Sequence, residues 1–190
     1  MGAVWADQFE NTANSGQHYE STGPEIYQQL EGKVDIFATA AGTGGTIGGV
    51  SRYLKEQNEN ITTIAIDPVG SGIHDYIKCG EFTGDGGSVT EGIGIKRLTA
   101  NFGFGRIDDA MRVTDREMIN CLFHVARNDG LFMGTSAALN LYGAYKLGLQ
   151  YKGSGKNIVT FLCDHGSRYS SKLLNAQWLE EKDLIPDNLV

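Results

Sequence analysis

The fold of this chain is decided by the segment Val34-Asp35-Ile36-Phe37-Ala38-Thr39-Ala40-Ala41-Gly42-Thr43-Gly44-Gly45-Thr46-Ile47-Gly48-Gly49. Its apolar first half is typical of a buried β-strand, and helix-like sequence follows the glycines. Residues 42–46, which we call the glycine loop, carry so little bulk that successive backbone N–H groups can surround an anion at a helix N-terminus. The two threonine hydroxyls add donors. The loop therefore predicts a phosphate site, and a tight strand-to-helix turn without a ligand is the alternative.

Outward from the glycine loop, the hydrophobic pattern predicts a helix to about Asn58 and a strand over residues 62–66 that ends at Asp67-Pro68. This strand, loop, helix and strand form one βαβ unit with a parallel crossover. Other segments follow the same patterns. Strands are predicted at 3–6, 110–113 and 157–163, the last covered on both faces, and helices at 22–30, 73–78, 114–129 and 134–147.

Three local signals refine these elements. Thr22 and Glu25 have the spacing of a capping box, as have Thr114 and Glu117, whereas residues 7–16 are interpreted as a polar loop. Polar and glycine-rich residues gather after successive strands, where open α/β sheets bind ligands. The predicted fold class is α/β, with an open, mostly parallel twisted sheet and helices on both faces.

Composition restricts the classes of function. Hydrophobic residues make up 41% and charged residues 21% of the 190, which indicates a globular chain. A net charge of -7 and a pI near 5.0 argue against nucleic acid or an anionic membrane as a partner. The three cysteines have no CxxC spacing, and Cys121 with His124 lacks a second ligand pair, so no disulfide framework or metal site is expected. No apolar run is long enough to span a membrane.

Several phosphate ligands fit a glycine loop. Gly42-x-Gly44 and Asp67 suggest a dinucleotide site, although the third glycine of G-x-G-x-x-G would fall on Ile47. A Walker loop is excluded because no Gly-Lys-Ser/Thr follows. Hydrolysis by Ser136 and His165 is disfavoured because Ser136 lacks a G-x-S-x-G context.

A family resemblance decides between these ligands. The motifs that carry it are Gln8-Phe9-x-Asn11-x-Ala13-Asn14, Thr22-Gly23-Pro24-Glu25-Ile26-Tyr27, Gly42-Thr43-Gly44-Gly45-Thr46, Gly92-Ile93-Gly94 and Arg168-Tyr169. In this order and at about this spacing, the sequence resembles the carboxyl-terminal half of cysteine synthase (O-acetylserine sulfhydrylase) and cystathionine β-synthase. Both belong to the tryptophan synthase β class, fold type II, of pyridoxal-phosphate enzymes.

The resemblance implies roles for individual residues. The cofactor phosphate is expected at Gly42, Thr43, Gly44, Gly45 and Thr46, and the backbone at Gly92 is expected to approach the cofactor. Gln8 matches a glutamine near the substrate carboxylate. The residue facing the pyridine nitrogen is expected at His165, where the family has serine, or at Asp164.

The resemblance also implies an absence. No segment matches the family's Schiff-base lysine or its Ser/Thr-x-Gly-Asn loop, and none of the nine lysines has the required context. We therefore expect residues 1–190 to be a single α/β domain. It would be the truncated carboxyl-terminal part of an enzyme whose amino-terminal domain is missing, with no catalytic residue of its own and inactive alone.

The function implied for the parent enzyme is pyridoxal-phosphate-dependent β-replacement, which makes L-cysteine from O-acetyl-L-serine and sulfide. Cystathionine synthesis, a non-catalytic partner of serine acetyltransferase, and an NAD(P)-binding domain are the alternatives. The expected partners are a small amino-acid substrate, a second subunit in a homodimer, and serine acetyltransferase. The expected location is the cytoplasm, with the mitochondrion as the alternative.

Overall fold

The structure, a computed structural model, describes residues 2–187. Within this range one sheet is formed by β1 (Ile36–Thr39), β2 (Thr62–Pro68), β3 (Asp109–Val113) and β4 (Ile158–Val159). The strand order is β3-β2-β1-β4, and all neighbouring pairs are parallel. Ile36 is in register with Thr62 on one side and with Ile158 on the other. The predicted parallel sheet is therefore confirmed.

Helices surround this sheet. In chain order they are α1 (Ala13–Gln17), a π-helical turn (His18–Thr22), α2 (Gly23–Gln29), α3 (Gly45–Gln57), α4 (Ile73–Cys79), α5 (Ala100–Gly103), α6 (Asp115–Asn128), α7 (Thr135–Gln150), a 3-10 turn (Gly166–Tyr169), α8 (Ser170–Leu173) and α9 (Ala176–Glu181). Within residues 2–187, no helix has both the length and the hydropathy that a membrane span requires.

The sheet buries both of its faces, as predicted. Successive strand residues point to opposite sides, so Ile36 and Ala38 lie in one core with α6 and α7, while Phe37 lies in a second core with α3. In that second core, α3 contributes its apolar face, Ile47, Val50 and Leu54, each fully buried. The fold class predicted from the hydrophobic pattern is confirmed, with helices on both faces.

The capping box predicted at Thr114 is present. The Thr114 hydroxyl accepts from the Glu117 amide at 3.2 Å, and the Glu117 carboxylate accepts from the Thr114 amide at 2.8 Å. This arrangement satisfies two backbone donors that a helix start leaves without partners. It fixes the first turn of α6 and, through it, the helix that packs Met118 and Leu122 against the sheet.

Three predictions near the amino-terminal end of the chain need correction: the strand at 3–6, the extent of the polar loop, and the capping box at Thr22 and Glu25. Residues 3–6 form no strand; they are exposed and irregular. The predicted polar loop at residues 7–16 extends only to residue 12, because the chain is helical from Ala13 through Gln29, where the π-turn joins α1 to α2. Thr22 is therefore inside a helix and caps nothing, and its hydroxyl is bonded to His18 Nδ1 at 2.9 Å.

Packing explains why a segment so rich in asparagine, glycine and serine becomes helical. The Ser15 backbone lies so close to α3 that a Cβ on Gly49 would come within 2.2 Å of the Ser15 carbonyl oxygen. Ser15 is fully buried. Close contact with α3 thus overrides weak intrinsic helix propensity.

The strand predicted over residues 157–163 is shorter than expected. Only Ile158 and Val159 pair with β1, and residues 158–161 are half-buried rather than covered on both faces. Leu162 is 52% exposed. β4 is an edge strand among the described residues, so its apolar pattern does not imply complete burial.

Candidate cofactor-phosphate site

The glycine loop joins the end of β1 to the start of α3. Gly44 is the N-cap of α3, with φ +88° and no side-chain cap. The first-turn N–H groups of this 13-residue helix point toward the loop, and the helix dipole favours an anion there. The predicted loop therefore has the geometry of an anion site.

Glycine is required at this loop by close contacts. A Cβ on Gly44 would lie 2.5 Å from Cβ of Phe102 in α5. A Cβ on Gly42 would lie 2.2 Å from the carbonyl oxygen of Gly92, and Gly94 N donates to Ala41 O at 2.8 Å. The Gly92 backbone, which the sequence predicted near the cofactor, therefore lies directly against the glycine loop.

Thr43 and Thr46 each contact a side chain from α1 or the π-turn, in the helical segment whose start the sequence did not predict. Thr43 Oγ1 accepts from Asn14 Nδ2 at 2.9 Å and from the Gly45 amide at 3.2 Å. Thr46 Oγ1 is 3.1 Å from His18 Nε2. Burial lowers the pKa of His18, so its ring is neutral near pH 7.

His18 is the first residue of the π-turn, and its ring contacts Thr46 of the glycine loop. Asn14 and His18 are four residues apart and reach the same side of the helix, toward α3. The extra backbone width of a π-turn shifts the residues that follow, and such turns are frequent at functional sites. A helical interpretation of residues 13–22 would have revealed this pair of polar side chains from spacing alone.

Gln8 lies beside the loop. Its carbonyl oxygen accepts from Asn14 Nδ2 at 2.9 Å and from Asn101 Nδ2 at 3.0 Å. Asn101 is fully buried, also donates to Phe9 O at 2.7 Å, and accepts from the Ser15 amide at 2.9 Å. The two asparagines therefore hold the backbone of residues 8–11 against α1 and the glycine loop, while the Gln8 side chain is exposed.

Asp164 and His165 lie near the end of β4, and the structure gives them different surroundings. Asp164 Oδ2 accepts from Tyr169 Oη at 2.6 Å, and this bond raises the pKa of Tyr169 to about 12. Asp164 Oδ1 is buried without a partner and lies next to Gly134. His165 is exposed, and its Nδ1 accepts from the Ser167 amide at 3.2 Å. Neither is hydrogen-bonded to the glycine loop among the described contacts.

A buried asparagine connects the segments that follow β1 and β4. Asn140 in α7 accepts from the Ala40 amide at 2.7 Å and donates to the Phe161 carbonyl at 3.0 Å. The carboxyl ends of β1 and β4 are thereby held side by side. No sequence motif marks Asn140, because its partners are about a hundred and about twenty residues away.

Asp67 does not have the position that a dinucleotide site requires. It is fully buried at the end of β2, and its Oδ2 accepts from the His74 amide at 2.9 Å. Burial raises the pKa of Asp67, which the Ser71 hydroxyl and the His74 amide partly offset. A buried carboxylate that is bonded to the start of α4 cannot bind ribose hydroxyls. Asp67 therefore cannot serve as the ribose-binding acid that the dinucleotide alternative requires.

The residues present therefore fit a single phosphate group better than a dinucleotide. The glycines leave the start of α3 free of side chains, and two threonine hydroxyls are held at its rim by Asn14 and His18.

Comparison with known proteins agrees with this geometry. Residues 1–164 match the family described as pyridoxal-phosphate dependent enzyme. Cysteine synthase 2 of Schizosaccharomyces pombe is 43% identical over 96% of this chain and 49% of its own length, and cysteine synthase of Dictyostelium discoideum is 43% identical over 98% and 52%. The chain spans about half the length of the curated relatives it matches.

A solved structure has the same fold. The O-acetylserine-dependent cystathionine β-synthase of Helicobacter pylori superposes with a TM-score of 0.78 at 31% identity, covering 88% of this chain and 52% of that one. The family match, the relatives and the fold agree, and the chain belongs to the family of pyridoxal-phosphate-dependent enzymes.

Proposed function

We propose that this chain supplies the phosphate-binding part of a pyridoxal-phosphate site in a β-replacement enzyme that makes L-cysteine from O-acetyl-L-serine and sulfide. The start of α3 carries the proposal, because its N-cap residue, Gly44, supplies no side-chain cap and two hydroxyl-bearing residues lie beside it. Gly42 and Gly44 would offer backbone N–H groups, and Thr43 and Thr46 would add hydroxyl donors. The Gly45 amide already donates to Thr43 Oγ1 at 3.2 Å, so Gly45 would act by orienting that hydroxyl. Pyridoxal phosphate, when bound, supplies an electron-withdrawing ring that stabilises negative charge at the substrate α-carbon.

Other residues would orient the cofactor and substrate. The Gly92 backbone lies against Gly42 and would bound one side of the ring, and the exposed Gln8 side chain is available to a substrate carboxylate. Asp164 or His165 would face the pyridine nitrogen. His165 Nδ1 already accepts a hydrogen bond, so a neutral ring carries its proton on Nε2 and would act there as a donor.

The lysines support the expectation that this chain alone lacks the catalytic base. Lys96, the lysine nearest a ligand loop, donates to Gly86 O at 3.1 Å, and Lys55 pairs with Asp108 at 2.8 Å. Lys146 and Lys172 pair with Glu117 and Glu91. We therefore propose that residues 1–190 are one α/β domain that binds the cofactor phosphate but needs a lysine from outside this sequence.

The experiment is to titrate the purified chain with pyridoxal phosphate and to compete with inorganic phosphate, followed by borohydride reduction and mass mapping. We expect phosphate-competable binding with no pyridoxyl group on any lysine. Thr43→Val should weaken binding about tenfold, because a hydrogen bond to a charged group is lost. Thr62→Val, at the amino end of β2, is the matched control. Binding that phosphate does not displace would refute the site, and a stoichiometric adduct on one lysine would refute the missing-lysine expectation.

Homocysteine in place of sulfide is the close alternative for the whole enzyme. The Helicobacter pylori neighbour is described as a cystathionine β-synthase that depends on O-acetylserine. An assay of the full-length enzyme with each sulfur donor, read as cysteine or cystathionine, distinguishes the two. A homodimer, a serine acetyltransferase partner and a cytoplasmic or mitochondrial location stay predictions.

A further inference from the structure

We infer that Asn14 is a positioning residue that sets the direction of the Thr43 hydroxyl and couples the Gln8 backbone to the phosphate site. This inference rests on the proposed function, since it assigns an acceptor to that hydroxyl. Asn14 itself would touch neither phosphate nor substrate, because both of its N–H groups are directed at the protein.

The contacts of Asn14 define its orientation. Its Nδ2 donates to Gln8 O at 2.9 Å and to Thr43 Oγ1 at 2.9 Å. Rotating the amide by 180° would place Oδ1 against the Gln8 carbonyl, with two acceptors facing each other, so the orientation follows from chemistry. Oδ1 lies over Gly45, where a Cβ would come within 2.0 Å of it. Only glycine at the first position of α3 lets Asn14 approach so closely.

The hydrogen bonds that Thr43 Oγ1 accepts restrict where its hydroxyl hydrogen can be donated. A hydroxyl has two acceptor lone pairs and one donor. The two lone pairs of Thr43 Oγ1 are used by Asn14 Nδ2 and by the Gly45 amide. The hydroxyl hydrogen must therefore be donated elsewhere, and the start of α3 is where an anion would accept it. The Thr43 carbonyl accepts from Thr99 Oγ1 at 2.8 Å, which holds the residue in place.

The same amide joins two parts of the site. Because Asn14 bonds both the Gln8 carbonyl and the Thr43 hydroxyl, a shift of the backbone around Gln8 changes the orientation of the donor at the phosphate. Coupling of this kind is reciprocal. Phosphate in the glycine loop should therefore also order the backbone around Gln8.

The test is a double-mutant cycle of Asn14→Ala and Thr43→Val, with the dissociation constants of inorganic phosphate and pyridoxal phosphate as the measurement. We expect Asn14→Ala to weaken binding five- to tenfold in the wild-type chain and less than twofold in the Thr43→Val chain. Without the Thr43 hydroxyl, Asn14 has no donor to orient. Asn128→Ala, on the exposed end of α6, should change neither constant. Equal losses in the two backgrounds would overturn the inference.

Amide hydrogen exchange of the free chain separates this inference from the proposed function. Asn14→Ala should accelerate exchange of the Gly45 amide, because its acceptor Thr43 becomes free to change rotamer, whereas Asn128→Ala should not. Unchanged Gly45 exchange would overturn the positioning role even if phosphate binds. Accelerated exchange in a chain that binds no phosphate would overturn the proposed function and leave the link between Asn14 and Thr43 intact.

Discussion

Gly44→Ala is the substitution for which the structure gives the most definite expectation. Gly44 is the N-cap of α3, has φ +88°, and lies against α5. An alanine Cβ there would be 2.5 Å from Phe102 Cβ and 2.6 Å from Phe102 Cα and N. Two of these three atoms belong to the backbone, so a change of side-chain rotamer cannot relieve the overlap.

The expected cost has two parts. An alanine in left-handed backbone costs about 1–2 kcal/mol, and a steric overlap with packed backbone adds about 1–3 kcal/mol. We therefore expect Gly44→Ala to lower the free energy of unfolding by about 3 kcal/mol. The start of α3 must move away from α5 to relieve the contact, so binding of inorganic phosphate should fall as well.

Gly80→Ala is the matched control. Gly80 ends α4 with φ +83°, and nothing lies within 4 Å of the Cβ it would gain. Its cost should be the conformational part alone, about 1–2 kcal/mol. Urea unfolding at equilibrium measures both variants, with unchanged m-values as the check that the unfolded states are comparable. A loss for Gly44→Ala no greater than that for Gly80→Ala would refute the steric reasoning.

Three other predictions need only standard measurements. Gly148→Ala should stabilise the chain by about 0.5–1 kcal/mol in thermal or urea unfolding, because Gly148 is an exposed residue of α7 with open space around it; a loss of stability would contradict this. Burial raises the folded-state pKa of Asp67, so its favourable contribution is present at acid pH and is lost as pH rises through that pKa. The stability of the wild type minus that of Asp67→Asn should therefore fall from pH 3.5 to pH 7 by about 1.4 kcal/mol per unit of pKa difference, and a flat or rising difference would be inconsistent with a buried acid. Iodoacetamide at pH 8 should modify exposed Cys79 well before Cys121, whose pKa burial raises to about 11; peptide mapping that finds Cys121 modified first would exclude this difference.

The hydrophobic pattern was sufficient for the parallel sheet, because each strand from β1 to β3 carries its own apolar signal. The capping box at Thr114 was also predictable, since both of its residues lie within one helical turn. The helical segment from Ala13 was not predictable from local sequence. Its asparagines, serines and glycines have weak helix propensity, and it is stabilised by contact with α3, through Gly49 and the buried Ser15.

The candidate site was likewise predictable from the sequence only in part. The glycine loop could be predicted because its conformational requirements are local. The residues that hold it could not, because Asn101 bonds partners about ninety residues away and Asn140 bonds Ala40 across a hundred. Each of these asparagines is an ordinary polar residue in the sequence. Only the fold brings its partners within reach.

The π-helical turn at residues 18–22 makes the place of a deletion as important as its size. A π-turn holds one more residue per turn than an α-helix, so deleting one residue after His18 would restore regular α-helical geometry while the segments before and after it keep nearly the same orientation. Deleting Gln17 from the regular α1 helix would instead rotate everything before it by about 100° relative to α2. Tyr27 would keep its edge contact with Tyr53, while Asn14 and Ser15 would turn away from α3. The proposed phosphate site should therefore tolerate a change of length in the π-turn more readily than one in α1.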